Sequence, residues 1–215
     1  MRHYKGFFRG FLGLLIVSLV FPAYGAVWYV SPDGSGDGAT WETAGALQAV
    51  MNAAAMYDEV WVTEGTYTSL IGAVLNMKTA VNVYGGFAGT ETDRDQRDPA
   101  ANPTVLDGQE TWRCVIGADA GLDGFTITNG FAEYGGGMYN NGVSPVISNC
   151  SFIANNGSAL YNSYASPTIN NCIFSSNTAA YGAGIYTSGY TPRIVGCVFT
   201  NNKARYGGAI YSWGQ

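Results

Sequence analysis

Histidine is almost missing from this chain. Of its 215 residues only His3 is a histidine, and it lies in a segment that we expect to be removed. A protein without histidine cannot use a Ser-His-Asp or Cys-His mechanism, and it lacks the commonest ligand of transition metals. The sequence therefore excludes the histidine-dependent classes of catalysis from the remainder of the chain.

Acidic residues are missing from the C-terminal part. All fifteen lie between Asp33 and Glu133, and residues 134–215 contain none. Enzymes that cleave polysaccharides need clustered carboxylates, either to hold Ca²⁺ or to act as an acid/base pair. A carboxylate groove along residues 134–215 is therefore excluded. We expect the basic residues there to be solvated surface charges rather than catalytic bases; they include Arg193, Lys203 and Arg205.

Long apolar runs are absent too, apart from a short one near the N-terminus. Phe11–Phe21 is apolar except at two positions, and it follows the basic residues Arg2, Lys5 and Arg9. A run of about 11 residues is too short to be a membrane anchor, because crossing the hydrocarbon takes about 20. Ala23 and Gly25 supply the small residues of a cleavage site before Ala26. We therefore predict a signal peptide over residues 1–25.

Without residues 1–25 the chain is strongly acidic. That segment holds three of the ten basic residues and none of the fifteen acidic ones, so the remainder carries a formal net charge of −8. Nucleic acids and anionic lipid surfaces attract basic patches instead. We therefore expect no nucleic-acid partner. The length of the remaining chain suits one domain with a sizeable core.

Helical periodicity is missing from residues 134–215, which contain an internal repeat instead. Pro145, Pro167 and Pro192 lie 22 and then 25 residues apart. Other residues recur at the same offsets, in five columns: Ile147, Ile169 and Ile194; Cys150, Cys172 and Cys197; Phe152, Phe174 and Phe199; Asn155, Asn177 and Asn202; and Tyr139, Tyr161, Tyr186 and Tyr211. The three-residue difference falls between the Asn and Tyr columns, where Tyr181-Gly182 and Tyr206-Gly207 have no counterpart in the shorter copy. That place is therefore a loop.

Each repeat predicts one coil of a parallel β-helix. Apolar and small polar residues alternate as in short strands, and Leu160 is the only leucine of residues 134–215, which argues against leucine-rich repeats. Coils stacked about 4.8 Å apart would pair each strand with its equivalent in the next coil. The Ile, Cys and Phe columns would then lie inside. We expect the Asn column at a bend, where Asn tolerates a left-handed backbone and bonds along the stack, and the Gly-rich segments 135–137, 182–184 and 207–208 at a bend with positive φ.

The cysteine column allows two interpretations. Cysteines in an exported protein suggest disulfides, here Cys150–Cys172 or Cys172–Cys197. Three equivalent positions beside a phenylalanine column favour a buried ladder of free thiols. Cys114 lies outside the column.

The chain is predicted to divide into a signal peptide at 1–25, an N-terminal cap with the first coils at 26–133, and β-helix repeats of 22–25 residues at 134–215. Helical spacing of Leu47, Val50, Met51 and Ala54 predicts one helix over residues 43–56, which would cover the end of the stack. Strands are predicted at 27–30, 60–62 and 81–84, with turns at 65–67 and 85–87. Because the last coil stops at Gln215, we expect the sequence to be C-terminally truncated.

The repeats resemble those of the polymorphic outer membrane proteins, which carry the paired signatures Gly-Gly-Ala-Ile and Phe-x-x-Asn. The first stands at Gly207–Ile210, with variants at 135–138 and 182–185, and the second at Phe152–Asn155, Phe174–Asn177 and Phe199–Asn202. The first half is similar to the start of secreted bacterial β-helix proteins with a pectin-lyase-like fold; the segments that carry this likeness are 28–31, 64–67, 84–87 and 95–99.

The resemblance implies an all-β fold, a single-stranded right-handed parallel β-helix. It also implies a secreted, cell-surface or outer-membrane passenger with adhesion as its role, and host or cell-surface glycans or proteins as partners. Attachment to an outer membrane would require a C-terminal anchor beyond this sequence.

Two acidic segments and several aromatics are the remaining candidates for chemistry. Asp33-x-Ser35-x-Asp37-Gly38 has the start of a calcium loop, but Ala44 stands where the bidentate Glu belongs, so a polar turn is the better interpretation. Residues 91–98, where four carboxylates alternate with Arg94 and Arg97, are interpreted as a self-paired surface loop. Exposed tyrosines such as Tyr164 and Tyr190 could stack on sugars, although most tyrosines in β-rich folds only pack.

We therefore expect a non-catalytic, exported surface protein, adhesin-like or structural, with no catalytic, cofactor-binding or metal-binding residues and no cofactor. The alternative is a carbohydrate-active β-helix enzyme, a polysaccharide lyase or hydrolase, with Asp95 or Asp98 as the residues to test.

Overall fold

The computed structural model describes residues 25–214, so the predicted signal peptide, except for Gly25, lies outside the described residues. Within this range the chain consists mainly of short parallel strands, with one α-helix and one 3₁₀-helix. No helix among these residues is long and apolar enough to cross a membrane.

The strands form three parallel sheets that run along the stack of coils. The first sheet contains β1 (Val27–Val30), β2 (Glu59–Thr63), β5 (Asn82–Phe87), β8 (Gly121–Asp123), β11 (Val146–Ser148), β14 (Thr168–Asn170) and β18 (Arg193–Val195). The second contains β3 (Gly65–Tyr67), β6 (Thr104–Asp107), β9 (Phe125–Thr128), β12 (Ser151–Ile153), β15 (Ile173–Ser175) and β19 (Val198–Thr200). The third contains β4 (Leu75–Asn76), β7 (Val115–Ile116), β10 (Met138–Asn141), β13 (Leu160–Ser163), β17 (Ile185–Ser188) and β21 (Ile210–Trp213). A short extra pair joins β16 (Thr178–Tyr181) and β20 (Lys203–Tyr206). The place where the repeat copies differ in length was predicted as a loop, but in the longer copies it contains these two strands, because Tyr181 pairs with Tyr206 in the next coil.

The predicted columns are the strand registers. Ile147, Ile169 and Ile194 are paired in the first sheet, and Phe152, Phe174 and Phe199 in the second. Successive phenylalanine rings stack with centroids 4.9 and 4.8 Å apart. The same columns continue toward the N-terminus, since Leu122 pairs with Ile147 and Ile127 with Phe152. The strand register therefore continues without a break across residues 133 and 134. The division of the chain at that point stays a prediction.

The asparagine column forms a hydrogen-bonded ladder at the bend after the second sheet. The Nδ2 of Asn155 donates to the Ile127 carbonyl, and that of Asn177 to the Phe152 carbonyl, both at 2.9 Å. The Oδ1 of Asn177 accepts from the backbone N–H and the Nδ2 of Asn155, at 2.9 and 3.1 Å. Bonding along the stack is thus confirmed. The left-handed backbone was assigned to the wrong residue, because it falls on the preceding position: Ala154 (φ 55°), Ser176 (60°) and Asn201 (55°).

The glycine bend was predicted correctly. Gly135, Gly182 and Gly207 have φ of 63°, 56° and 63°, and each lies three residues before a strand of the third sheet. A Cβ at Gly182 would lie 2.4 Å from the Ile185 carbonyl oxygen, so both the backbone angle and the available space require glycine there.

The cysteines are free thiols, and Cys150 and Cys172 are fully buried while Cys197 is partly exposed. The favoured interpretation, a ladder of free thiols, is confirmed. Each thiol donates to a carbonyl two residues earlier, from Cys150 to Ser148 and from Cys172 to Asn170, both at 3.2 Å. Burial raises the pKa of the Cys150 thiol well above its ordinary value.

The helix α1 covers only Leu47–Ala53, shorter than the predicted 43–56. Its buried residues Leu47, Val50 and Met51 join the core, and it packs on β1, β2 and β4 at the N-terminal end of the stack. The first predicted turn is lost because the backbone there already pairs with the N-terminal strand, with the Gly45 N–H donating to the Tyr29 carbonyl at 3.0 Å. At the other end Ala54 leaves the helix in an extended conformation.

Two predicted turns are strands instead. Residues 65–67 form β3, because they pair with residues 104–106 of β6. Residues 85–87 continue β5, where a register shift between Val62 and Thr63 accommodates Gly86. Gly86 has a φ of 97°, so the glycine that suggested a turn is a bulge within a strand.

Candidate functional site

The segment that begins like a calcium loop is a capped turn. The Oδ1 of Asp37 accepts from the Ala39 N–H at 3.0 Å. Across residues 25–214 no group of three or more His, Cys, Asp or Glu side chains is arranged to hold a metal ion.

The carboxylates of residues 91–98 bind their own backbone. Glu91 accepts from the N–H groups of Ala88, Gly89 and Thr90 at 2.7–3.0 Å. Burial opposes ionisation of Glu91, but these hydrogen bonds prevail and lower its pKa. Asp98 Oδ1 accepts in the same way from the N–H groups of Ala100 and Ala101 in the next turn. Asp95 is a largely exposed side chain, so neither aspartate proposed for the enzyme alternative lies in a built site.

The two arginines of this loop form their shortest ion pairs outside it, so the interpretation of the loop as self-paired is only partly right. Within the loop, Arg94 Nε lies 3.7 Å from Asp95 Oδ1. Arg94 Nη1 lies 2.8 Å from Glu59 Oε1, and Arg97 Nη2 lies 2.7 Å from Asp123 Oδ1. Both guanidinium groups face the Tyr84 ring, at 5.0 and 5.3 Å from its centroid. Burial raises the pKa of Tyr84, and the neighbouring Glu59 carboxylate adds to this rise.

These pairs lie on the outer face of the first sheet, beside an open cleft of about 460 Å³. Its lining includes Tyr84, Asp119, Asp123 and Ser148. Asp123 already accepts from Arg97 and from the Asn149 side chain at 3.1 Å. These hydrogen bonds anchor the loop to the sheet.

A column of tyrosines covers the outer face of the third sheet. Tyr139, Tyr161, Tyr186 and Tyr211 are paired in register, and they point outward because their neighbours along each strand point into the core. Consecutive rings are nearly parallel, with centroids 5.5, 4.5 and 5.6 Å apart. Their faces are therefore covered by each other, and their edges and hydroxyl groups face the solvent. We call these four residues the inner tyrosine ladder.

A second set of tyrosines stands beside the inner ladder, in the segments that lead into the third sheet; two of its members are the last residues of β16 and β20. It consists of Tyr134, Tyr181 and Tyr206, and we call it the outer tyrosine row. Tyr181 and Tyr206 stack at 5.2 Å. Tyr134 leans on Tyr161, with centroids 5.1 Å apart and planes at 50°. These three rings are 43–49% exposed, so they offer aromatic surface to a ligand.

The outer row lacks one member, in the coil between Tyr134 and Tyr181. This coil belongs to the shorter repeat copy, whose segment Gly157-Ser158-Ala159 contains no tyrosine. The backbone positions of Tyr134 and Tyr181 are therefore two coils apart, roughly 9.5 Å along the stack at two strand spacings.

The missing member leaves a cleft of about 250 Å³, which we call the tyrosine cleft. Tyr134 and Tyr181 both line it, and its remaining lining consists of Glu133, Ser158, Tyr161, Ala179, Ala180 and Tyr186. A ring held between two aromatic walls makes two van der Waals contacts of about 3.5–4.0 Å each, so it needs walls about 7–8 Å apart. The tyrosine cleft therefore suits a single ring. Pockets that hold drug-sized ligands are larger, about 300–1,000 Å³.

The polar groups of the tyrosine cleft are few. Glu133 is the last carboxylate of the chain, and its hydrogen bond with the Tyr134 hydroxyl raises the pKa of Tyr134. Burial, with the neighbouring hydroxyls of Tyr186 and Tyr139, raises the pKa of Tyr161 to about 12. The raised pKa values keep the hydroxyls of Tyr134 and Tyr161 uncharged at neutral pH, so both can donate and accept hydrogen bonds.

The sequence contained both the repeated tyrosines and the shorter repeat copy, but the tyrosine cleft was not predicted from them. Tyr164 and Tyr190, named from the sequence as sugar-stacking candidates, form an edge-to-face pair at 6.4 Å in another loop. The signal for the tyrosine cleft was the repeat of 22 residues, in which the Tyr-Gly pair is missing.

Comparison with known families gives a match over residues 107–215 to the right handed beta helix region. No curated protein and no solved structure matches the chain. The matched range contains the repeat columns, and together with the three parallel sheets it confirms the predicted all-β, right-handed parallel β-helix. The likeness to pectin-lyase-like proteins is thus supported at the level of the fold.

Proposed function

Because the chain belongs to the right-handed β-helix family, we propose that it is an exported, non-catalytic binding protein whose tyrosine cleft holds one sugar ring of a neutral glycan. The observation that carries this proposal is the missing member of the outer tyrosine row, which leaves a ring-sized gap between Tyr134 and Tyr181. Export is supported by the signal-peptide pattern of residues 1–25, and surface adhesion by the repeat signatures shared with polymorphic outer membrane proteins.

The chemistry of the tyrosine cleft favours a neutral sugar. Aromatic walls pack against the apolar C–H faces of a sugar ring, while hydroxyl groups at the rim exchange hydrogen bonds with its substituents. The Glu133 carboxylate accepts hydrogen bonds from hydroxyls but repels another carboxylate. A uronate, the substrate class of the enzyme alternative, is therefore disfavoured.

The shape of the cleft also favours a chain end or a side branch over the middle of a long polymer. Both Tyr134 and Tyr181 line the cleft, and they stand on coils on either side of the gap. A ring placed between them would therefore have an aromatic side chain on each side along the stack. The proposed ligand is thus a terminal or branching residue of a surface glycan.

The test is binding to an array of neutral and uronate-containing oligosaccharides, followed by calorimetry on each ligand found. We expect neutral ligands only, and a rise in Kd of about tenfold or more in Tyr181→Ala, since an aromatic contact contributes about 0.5–1.5 kcal/mol beyond its buried area. Ala180→Trp, which places a large side chain at an exposed position of the cleft lining, should abolish binding.

The matched control is Tyr164→Ala, which removes an exposed tyrosine of another loop and should leave Kd unchanged. An array without any neutral ligand, or equal affinities of the wild type and Tyr181→Ala, would refute the proposal.

A polysaccharide lyase or hydrolase is the second candidate, and the observation that favours it is the charged face of the first sheet with Tyr84, Asp123 and Arg97. Release of reducing ends from an acidic polysaccharide, lost in Asp123→Asn, would establish it. We expect no release, because Arg97 and Asp123 neutralise each other.

A further inference from the structure

The backbone of Ala26 is fixed at both of its polar groups. Its N–H donates to Asp58 Oδ1 at 2.7 Å, and its carbonyl accepts from the Glu59 N–H at 2.9 Å. Ala26 itself is exposed, whereas Asp58 is buried with 6% of its surface accessible. The position that directly follows the predicted cleavage site is thus bound to a buried carboxylate.

Asp58 is surrounded by hydrogen-bond donors. Trp28 Nε1 donates to its Oδ2, and so does the Ala55 N–H at the end of the α1 segment, both at 2.7 Å. Burial opposes ionisation of Asp58, yet these donors, the Ala26 N–H and the charge of Lys78 prevail and lower its pKa. The carboxylate is therefore an anion in the folded protein.

Gly25 lies close against the same segment. A Cβ at this position would lie 1.8 Å from the Tyr57 carbonyl oxygen and 2.6 Å from the Asp58 nitrogen. The structure requires glycine here for space, and signal peptidases require a small residue at the same position. The two requirements coincide at the Gly25–Ala26 bond.

We propose that cleavage between Gly25 and Ala26 creates an α-ammonium group that forms an ion pair with Asp58 and so fixes the first strand of the mature protein. The inference rests on the export proposed above, because it needs the signal peptide to be removed. Cleavage by water breaks one amide bond, giving the Gly25 carboxylate on the leader and the Ala26 amine on the protein. At neutral pH the amine takes up a proton, which converts a neutral hydrogen bond into a charged one.

The other charged groups near this site are already engaged. Lys78 donates its Nζ protons to the carbonyls of Ala54 and Asn52, at the C-terminal end of α1. Glu59, next to Asp58 in sequence, accepts from Trp61 Nε1 and Arg94 at 2.8 Å. Asp58 is therefore the carboxylate that faces the Ala26 nitrogen, and Lys78 acts on it only through its charge.

The first experiment is expression of the full chain in a bacterium that exports it, with intact-mass measurement of the exported protein and sequencing of its N-terminus. A protein that begins at Ala26 supports the inference. A protein processed at another bond overturns the inference and leaves export standing. A protein that retains Met1 overturns both.

The second experiment measures the pKa of the α-amine in the exported protein, by NMR after reductive methylation with ¹³C-formaldehyde. An ordinary α-amine titrates at about 7.7–8.0, and a carboxylate in contact raises this by about one unit or more. We expect such a rise in the wild type and in the control Asp95→Asn, and a return to the ordinary range in Asp58→Asn. An unshifted amine in the wild type overturns the ion pair, even if Asp58→Asn does not fold.

Discussion

Asn177 should be among the costliest polar side chains to remove, although it touches no ligand. It is fully buried and takes part in four side-chain hydrogen bonds: it donates to the Phe152 carbonyl and to Asn202 Oδ1, and it accepts two bonds from Asn155. Each bond contributes about 0.5–1.5 kcal/mol net, and a buried partner left unsatisfied costs about 1–3 kcal/mol. Asn177→Ala should therefore lower the free energy of unfolding by about 4 kcal/mol.

The matched control is Asn202→Ala in the last rung of the same ladder. Asn202 donates to the Phe174 carbonyl at 2.8 Å and accepts from Asn177, but it is only half-buried, so water replaces part of what is lost. We expect a loss of about 1 kcal/mol there. Urea unfolding followed by far-ultraviolet circular dichroism measures both variants. Equal losses would refute the reasoning that the buried ladder, rather than β-helix composition in general, stabilises the stack.

Three further outcomes follow from the packing and the charges. Phe174→Ala, which removes a fully buried ring stacked at 4.8–4.9 Å on both sides, should cost about 3–5 kcal/mol in urea unfolding, and a loss below 1 kcal/mol would contradict it. Because the pKa of Asp58 is lowered in the folded state, its stabilisation is present above the unfolded pKa and lost as the pH falls through the folded one; Asp58→Asn should flatten the acid limb of a Tm-versus-pH curve, and an unchanged limb would exclude this role. A maleimide should modify Cys197 in the native protein and spare Cys150, which is 1% exposed, whereas equal rates would mean that the coil opens readily.

The interior of the stack could be predicted because each column enforces its own register. Once Ile147 and Phe152 recur at a constant offset, only stacked coils place each of them on its equivalent, and the pairing follows. Local signals were weaker. Gly86 suggested a turn and is a bulge. Ala44 falls within the predicted helix of residues 43–56, but its carbonyl accepts from the Gly36 N–H instead.

The contacts of the charged loop could not be predicted from the sequence. Arg94 and Arg97 stand among carboxylates in sequence, yet they pair with Glu59 and Asp123, 35 and 26 residues away. Which coil a loop folds against depends on the stacking of the whole β-helix, and nothing in residues 91–98 encodes it. The tyrosine cleft is an intermediate case, since the short repeat copy showed where a tyrosine was missing but not that its neighbours would frame a gap.

The difference in length between repeat copies changes the surface of the protein, where a ligand would bind, but not the strands of its core. The copy of 22 residues and its neighbours of 25 keep the same register in all three sheets, because the three residues are lost from the segment between the second and third sheets, where the longer copies form β16 and β20. Residues can thus be gained or lost in that segment without rearranging the core. A solenoid of this kind can diversify its surface one coil at a time, and each shortened loop next to a longer one opens a new recess of one ring's width.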